Sequence, residues 1–573
     1  MAEYLSPGVY VEEYDNSPRS IEGVGTSTAG FVGFAEKGRS SGAPVLVTNF
    51  RSFTRQFGGF LPEYTYGEYR FLAHSVEQFF ANGGTRCYVM RVVAPGAACA
   101  QKKSGILTAK AANEGKWGNR IQLSFNTVNK RKMQLIAKSG EATYVAKSVD
   151  GFREGDMVCF DGEYNRISVI YDETVTFEEE FKGDVVDESV IPKKVVTLAA
   201  FDMQVRHNDE VENYQGLTLN PTSPNYLSAK AAGSNIVKLT LAQEVEIGNP
   251  VAAILGDDQE SGMLTLEGGS DGNIGKVNAG TFIGSDEGPE RRTGIQSFVE
   301  NDLVSMMAVP GITIPEVVAA LVGHCENMRS RFAVIDMPEE MYKTEELIAY
   351  RGMIDSTYAA MYHPWIQVFD RGANKVGFVP PSGAVLGVYS RTDINRGVHK
   401  APANEVVFCS GLKVNYSKEE QDILNPEGVN LIRSLPGQGI RVWGARTASS
   451  NSAFKYVNVR RLFIFVEESI KANTNWVVFE PNDMRLWQRV SMTISAFLDS
   501  MWRTGMLAGS TPQEAYFVEI GAQTMTREDI MNGRLICNVG IAPSRPAEFV
   551  IFRVTQHTAE AANATTEEAG SEG

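Results

Sequence analysis

Apolar positions along this chain change period several times, and each change marks an element. Ala29–Ala35 is strand-like, and Leu303–Val309 is a short, mostly apolar run with the pattern of a buried strand. From Gly67 to Ala81 the period becomes helical, with Tyr69, Leu72, Val76, Phe79 and Phe80 on one face and Asn82–Gly83–Gly84 as its stop. Thr85–Val93 then alternates as a strand, and Asn49 is placed to cap a short helix through Phe57. Pro44–Thr48 is a further short strand. Later, Thr313 and Glu316 have capping-box spacing before a helix faced by Ile314, Val317, Val318, Leu321, Val322, Cys325 and Met328, and Arg331–Asp336 follows as a strand. Strand, helix and strand in this order predict an α/β unit.

That texture is interrupted. Residues 105–285 hold short alternating runs such as Ile121–Phe125, Met157–Phe160 and Ile167–Tyr171, with weak helical periodicity and an acidic stretch at Asp172–Asp187. They predict an all-β insertion, read as two small β subdomains. The densest signals lie between Ile423 and Ile470. A turn at Asn425–Gly428 leads to an amphipathic Val429–Leu435, the loop Pro436–Gly439 and a strand-like Ile440–Arg446. Val459, Leu462, Phe463, Val466 and Ile470 then form a helical stripe. A turn at Pro481–Asn482 precedes a helix to Arg503 faced by Trp487, Val490, Ile494, Phe497 and Met501. Strands are predicted at Tyr516–Gly521, Arg534–Ala542 and Ala547–Val554.

The expected fold class is α/β (α+β) with mixed sheets, a β-rich insertion, an extended N-terminal arm and a C-terminal strand. The segments are an arm at 1–24, an α/β domain of 25–104 plus 286–398, the insertion at 105–285, a C-terminal domain at 399–558, and a polar acidic tail at 559–573 expected to lack structure. A length of 573 residues, 43% hydrophobic and 21% charged, suits about two to four soluble domains.

A net charge of −15 argues against non-specific nucleic-acid binding. No apolar run reaches membrane-spanning length, and Met1–Tyr4 lacks the basic and apolar regions of a secretory leader, so synthesis and initial retention in the cytosol are expected. The six cysteines have no short-spaced pair, which points to reduced core thiols. The six histidines have no ligand spacing.

Candidate chemistry is thin. Gly268–Gly272 matches G-x-S-x-G, but Asn273–Lys276 has no helical face to build a nucleophile elbow. Gly275–Lys276 lacks the P-loop's first glycine and its Ser/Thr, Val277 standing there instead. Pro310–Gly311 follows a parallel-type strand where a doubly wound fold binds ligands, without a Gly-x-Gly-x-x-Gly. Arg460–Arg461 beside Glu467–Glu468 reads as a solvated helix face or a subunit contact. No catalytic, cofactor or metal residues are assigned, and an enzyme is not expected.

Several motifs stand in a familiar order: Ser6–Glu13, Gly268–Gly272, Pro380–Gly383, Lys400–Glu405, Leu424–Pro426, Gly439–Thr447, Tyr456–Leu462, Phe479–Asn482 and Arg545–Phe549. Together the chain resembles the tail-sheath proteins of contractile phage tails and related injection particles, outside residues 125–260. Ala384 and His399 stand where many members carry His and Trp, which bears only on the branch. The resemblance implies a homo-oligomer of stacked hexameric rings around an inner tube, with baseplate and terminal cap proteins as partners, no nucleic acid, no membrane insertion and no cofactor. It also implies a C-terminal third that lines the tube and an outward-facing insertion. The open ends of the chain suggest strand exchange between subunits through Val9, Tyr10, Val11 and Glu12 at one end and Phe549, Val550, Ile551, Phe552 and Val554 at the other. Competing readings are a nucleotide-dependent α/β enzyme and a monomeric β-rich binding module. Phage tail and extracellular injection particle are not separated by the sequence.

Overall fold

Six parallel strands form the middle of the largest sheet, in the spatial order Cys87–Val92, Ala29–Phe34, Met306–Ala308, Phe332–Asp336, Ala359–His363 and Val429–Leu435. Antiparallel strands extend it at both sides: Val45–Val47 beside Cys87–Val92, and Gly439–Val442 then Glu405–Val406 beside Val429–Leu435. This is a computed structural model, and it describes residues 21–183, 185–186, 195–242, 245–257 and 259–551. The chain divides into two units. One contains residues 23–396 and 402–469, and the other contains 1–22, 397–401 and 470–573.

The parallel strands are mostly apolar and largely buried because helices cover both faces of the sheet. Phe31, Cys87, Val334 and Ala360 pack with Leu72, Val76, Phe79, Val385 and Val388 of helices Leu72–Ala81 and Ser382–Arg396. Their neighbours Val32, Met90, Ile335 and Met361 pack on the other face, with Val317, Leu321 and Leu347 of helices Pro315–Met328 and Thr344–Arg351. Asn49 caps helix Phe50–Phe57 by accepting the Ser52 amide at 2.8 Å.

Helices Leu72–Ala81 and Ser382–Arg396 approach at glycines. A Cβ at Gly383 would lie 2.3 Å from the Ser75 carbonyl oxygen, and one at Gly387 would lie 2.5 Å from that of Phe79. Only hydrogen at these two positions lets the backbones touch.

The insertion does contain two separate cores. Leu107, Trp117, Leu123, Phe125, Phe201 and Val237 fill one, between a three-stranded sheet (Gln101–Ser104, Leu107–Ala111, Val237–Leu241) and a four-stranded one (Gln122–Thr127, Phe201–His207, Glu210–Leu217, Ser261–Thr265). Val158, Phe160, Val175, Phe177 and Phe181 fill the other, on a seven-stranded sheet whose longest strand is Glu163–Tyr171. The segment is not purely β, since Leu227–Ala231 and Pro250–Leu255 are short helices. Buried Arg91 ties the first core to the central sheet. It donates to the carbonyls of Ala35, Glu36, Gly38 and Glu114, between 2.9 and 3.3 Å.

In the second unit, helix Met484–Arg503 packs against the antiparallel pair Tyr516–Ile520 and Cys537–Ile541. Asp483 caps the helix by accepting the Leu486 amide.

Three local expectations need correction. Pro315 fixes the first helical turn, so the capping position falls to Ile314 and no side chain caps the helix, while the Thr313 carbonyl accepts the Tyr350 hydroxyl. The helix expected from Gly67 begins at Leu72, after a helical turn at Glu63–Tyr66 and a tighter one at Gly67–Tyr69. Residues 547–551 form no strand, because a strand needs a neighbour and none pairs with them among the described residues.

Candidate assembly surfaces

Apolar side chains at the described end of the chain stand in solvent. Phe549, Val550 and Ile551 are 73%, 66% and 80% exposed. Val9, Tyr10, Val11, Glu12, Phe552 and Val554, the rest of the expected exchange segments, lie outside the described residues. The strand pair Tyr516–Ile520 and Cys537–Ile541 is two-stranded, so among the described residues the outer edge of each strand has no further strand on it. Phe517 lies over Gly540, directly opposite it in register, and is half exposed. Unpaired donors and acceptors on such edges are the places where a further strand adds.

The positions singled out for chemistry serve the fold instead. Gly268 and Gly272 carry φ of +79° and +80°, Ser270 Oγ accepts the Gly272 amide, and Asp271 accepts the Lys116 amide. Ser270 bridges to Ala98, and a single tight turn, Ile274–Lys276, follows. No strand–turn–helix elbow forms there. At the C-terminal end of the parallel sheet, beside Pro310–Gly311, the carboxylate of Asp336 accepts the Gly311 amide at 3.0 Å and the Ser382 amide and hydroxyl, both at 2.7 Å. Burial drives its pKa up to about 6 despite these three donors. The crevice in which a doubly wound fold holds a phosphate is thus filled by the chain's own carboxylate.

Four of the histidines are built into cores. His74 Nε2 lies 3.0 Å from Asp370, with both side chains almost fully buried. Burial opposes ionisation of Asp370, but His74 and the amides of Gly372 and Ala373 outweigh it and hold its carboxyl at about 2. His324 lies 3.2 Å from the buried guanidinium of Arg331, which itself donates to the carbonyls of Phe298 and Asn301. His363 Nε2 lies 2.9 Å from the Tyr416 hydroxyl. His207 packs edge-on against Trp117.

Among the described residues no group of three His, Cys, Asp or Glu side chains is placed to hold a metal, and no helix is long and apolar enough to cross a membrane. A groove of about 780 Å³ is lined by polar and charged groups including Lys37, Asn49, Arg51, Arg55, His207 and Glu210. Arg460 and Arg461, read as a solvated face or a subunit contact, are buried. The Arg460 guanidinium stacks 3.6 Å from the Phe454 ring centroid and 4.4 Å from that of Tyr358.

One surface residue was not singled out by sequence reasoning. Phe479 appeared only inside a motif, yet it is fully exposed and has a φ of +68°. Nothing in Val-Phe-Glu-Pro announces a left-handed phenylalanine.

Two family domains and several known proteins match this chain. The phage tail sheath protein central domain matches residues 288–448, and the phage tail sheath C-terminal domain matches residues 449–557. The tail sheath protein of Escherichia phage P2 is 23% identical over 338 residues, 57% of this chain and 78% of that protein. The tail sheath protein of Salmonella phage ViI is 28% identical over 189 residues, 28% of this chain and 30% of that protein. In fold, the chain is similar to the sheath of an extracellular contractile injection system solved in its contracted state. That likeness has a TM-score of 0.53 at 22% identity and covers 98% of this chain and 100% of that one. Residues 288–557 thus match the central and C-terminal domains of phage tail sheath proteins, and the chain is similar to the tail sheath subunits of phage tails and of a phage-tail-like particle.

Proposed function

We propose that this chain polymerises as stacked hexameric rings around an inner tube, and that the sleeve shortens to drive the tube through a target envelope. The exposed run Phe549–Val550–Ile551 carries this reading, because apolar side chains and unpaired backbone at a chain end are an aggregation liability in a monomer and a joint in a polymer. Val9–Glu12 and Glu548–Val554 add to sheets in neighbouring subunits, and the edges of the pair Tyr516–Ile520 and Cys537–Ile541 are suited to receive them. A joint of about six backbone hydrogen bonds, at roughly 0.5–1.5 kcal/mol each, is worth several kcal/mol and still bends as rigid bodies rotate.

Shortening needs a metastable extended lattice and larger contacts in the short form, with no nucleotide. The insertion faces outward, baseplate and cap proteins close the ends, and assembly takes place in the bacterial cytoplasm. Electron microscopy of the chain expressed alone tests the reading: tubular sheaths with six-fold symmetry are expected, and a monodisperse monomer at high concentration overturns it. Deleting residues 1–20 should leave a folded subunit that forms no sleeve. Normal sleeves from that deletion would refute the strand joint.

A further inference from the structure

Residues 22–28 lead into the central strand Ala29–Phe34, and they are held very unequally along their length. Arg461, Phe465, Ser469 and Asn473 stand four residues apart on one face of helix Val457–Asn473, and each meets this segment. Asn473 Nδ2 donates to the Glu22 carbonyl at 2.9 Å, and the Val24 amide donates to Ser469 Oγ at 3.1 Å. Gly23 lies so close to the Phe465 ring that a Cβ would come within 2.7 Å of it. Glu22, Gly23 and Gly25 are nevertheless exposed, and among the described residues those two hydrogen bonds are what holds 22–25. Just beyond, the grip is deep. The Thr26 hydroxyl donates to Asp393 at 2.7 Å, and its carbonyl accepts from Arg461 at 2.9 Å and from Ser305 Oγ at 2.6 Å. Buried Thr28 accepts the Ser305 and Met306 amides on its carbonyl, at 3.0 and 3.3 Å, and Arg86 Nε on its hydroxyl at 2.8 Å.

We propose that residues 22–25 are a strap that peels from helix Val457–Asn473 to lengthen the N-terminal arm, and that the clasp on Thr26 and Thr28 is the stop. The inference rests on the sheath reading above, in which Val9–Glu12 joins a neighbouring subunit. Ten residues separate Glu12 from Glu22, a reach of at most about 33–36 Å. Moving the root of the arm from Glu22 to Thr26 adds four residues, roughly 13 Å, which is more than a third again. The strap is suited to give way, because its contacts are single, exposed and spaced one helical turn apart. Segments held by few buried contacts open at low cost, and those tied into the core do not. The clasp matters because the next residue begins a strand paired on both sides in the largest sheet. Without it, a pull on the arm would reach that strand.

The test locks the strap in the full-length chain. Val24→Cys with Ser469→Cys sets two thiols where the Val24 amide now meets the Ser469 hydroxyl, and mild oxidation of the free subunit should join them, as mapped by mass spectrometry. The locked subunit should keep its thermal midpoint and sediment as polymer at least tenfold less than the same protein after reduction. In sleeves of the unaltered chain, the Val24 amide should exchange hydrogen at least tenfold faster than in the free subunit, while Ala29–Phe34 stays protected. Polymerisation of the locked subunit within twofold of the reduced one overturns the proposal. So does equal protection of the Val24 amide in sleeves and free subunit, a readout that needs no substitution. Failure of the two thiols to join in the free subunit also overturns it, since the strap would then not lie on the helix. If the unaltered chain forms no sleeves although the thiols join, the sheath reading fails, and the strap has no arm to lengthen.

Discussion

Arg461 grips Asp393 with two parallel hydrogen bonds, of 3.0 and 2.6 Å, and each side chain is only 3% exposed. Thr26 completes the knot: its hydroxyl donates to Asp393 at 2.7 Å, and its carbonyl accepts from Arg461 at 2.9 Å. The pair joins helices Ser382–Arg396 and Val457–Asn473 at the point where the N-terminal segment enters the fold. Removing one partner strands a buried charge, so Asp393→Ala should destabilise the chain by about 3–5 kcal/mol. Replacing both with Arg461→Met and Asp393→Leu should cost far less, because no uncompensated charge remains. Urea unfolding of the three proteins decides this, and equal losses in the single and double variants would show that packing, not charge, is at stake.

Two core imidazoles should make the fold acid-sensitive. Burial drives His324 down to about 3, helped by Arg331, and burial drives His363 down to about 4, helped by Lys413. Each is lowered from the ordinary 6.5, so below that pH the unfolded chain binds protons that the folded chain refuses. Stability is thus lost as pH falls from about 6.5 towards 3–4. Asp336 works the other way. Raised to about 6 from 3.8, it regains stability over part of that window, but one carboxylate opposes two imidazoles. His324→Gln keeps an acceptor for Arg331 without the titration, and it should flatten the fall of the thermal midpoint between pH 6.5 and 4. An unchanged slope would place the sensitivity elsewhere.

Runs such as Ala29–Phe34 and Phe332–Asp336 declared themselves as strands through their short apolar stretches, and the stripe Val459, Leu462 and Val466 announced the helix Val457–Asn473. Local pattern says nothing about which strand pairs with which. That Val429–Leu435 joins the same sheet as Ala29–Phe34, from the far side of the insertion, is settled by packing between distant segments. Buried arginines were equally opaque. Arg91 and Arg331 are satisfied by backbone carbonyls, Arg461 by Asp393, and in the sequence all three look like surface charges. Of the candidate assembly surfaces, the alternating apolar pattern around Phe549–Ile551 was visible in the sequence, whereas the conformation of Phe479 was not.

The glycine contact between helices Leu72–Ala81 and Ser382–Arg396 should tolerate nothing larger. Gly387→Val places methyl groups where the Phe79 carbonyl oxygen already leaves only 2.5 Å for a Cβ. Overpacking of this kind typically costs about 1–3 kcal/mol, with more when the obstacle is backbone. The expected outcome is a soluble chain with a markedly lower thermal midpoint, or none recovered. Gly323→Ala on helix Pro315–Met328, where a Cβ meets nothing within 4 Å, should be neutral or stabilising and serves as the control.

Separate cores predict separate unfolding. Phe177 is 2% exposed and packs against Tyr144 and Phe181, with ring centroids 5.8 and 5.0 Å away. Phe177→Ala should cost the seven-stranded sheet about 3–5 kcal/mol. Calorimetry should then show an early transition, while hydrogen exchange in the central parallel sheet stays protected. Loss of protection in both regions together would mean that the insertion and the central sheet unfold as one cooperative unit.

The exposed end of the chain permits the sharpest separation of folding from assembly. Ile551 is 80% exposed and lies in no strand among the described residues, so Ile551→Asp removes no core contact and should shift the subunit's stability by less than about 0.5 kcal/mol. In a strand added to a neighbour's sheet, the same aspartate would put a charge where an apolar contact is needed. The variant should therefore purify as a folded subunit with an unchanged thermal midpoint and fail to form long sleeves under the electron microscope. Ile551→Val, which keeps both shape and β-propensity, should assemble normally. Sleeves of ordinary length from Ile551→Asp would mean that this segment takes no part in joining subunits.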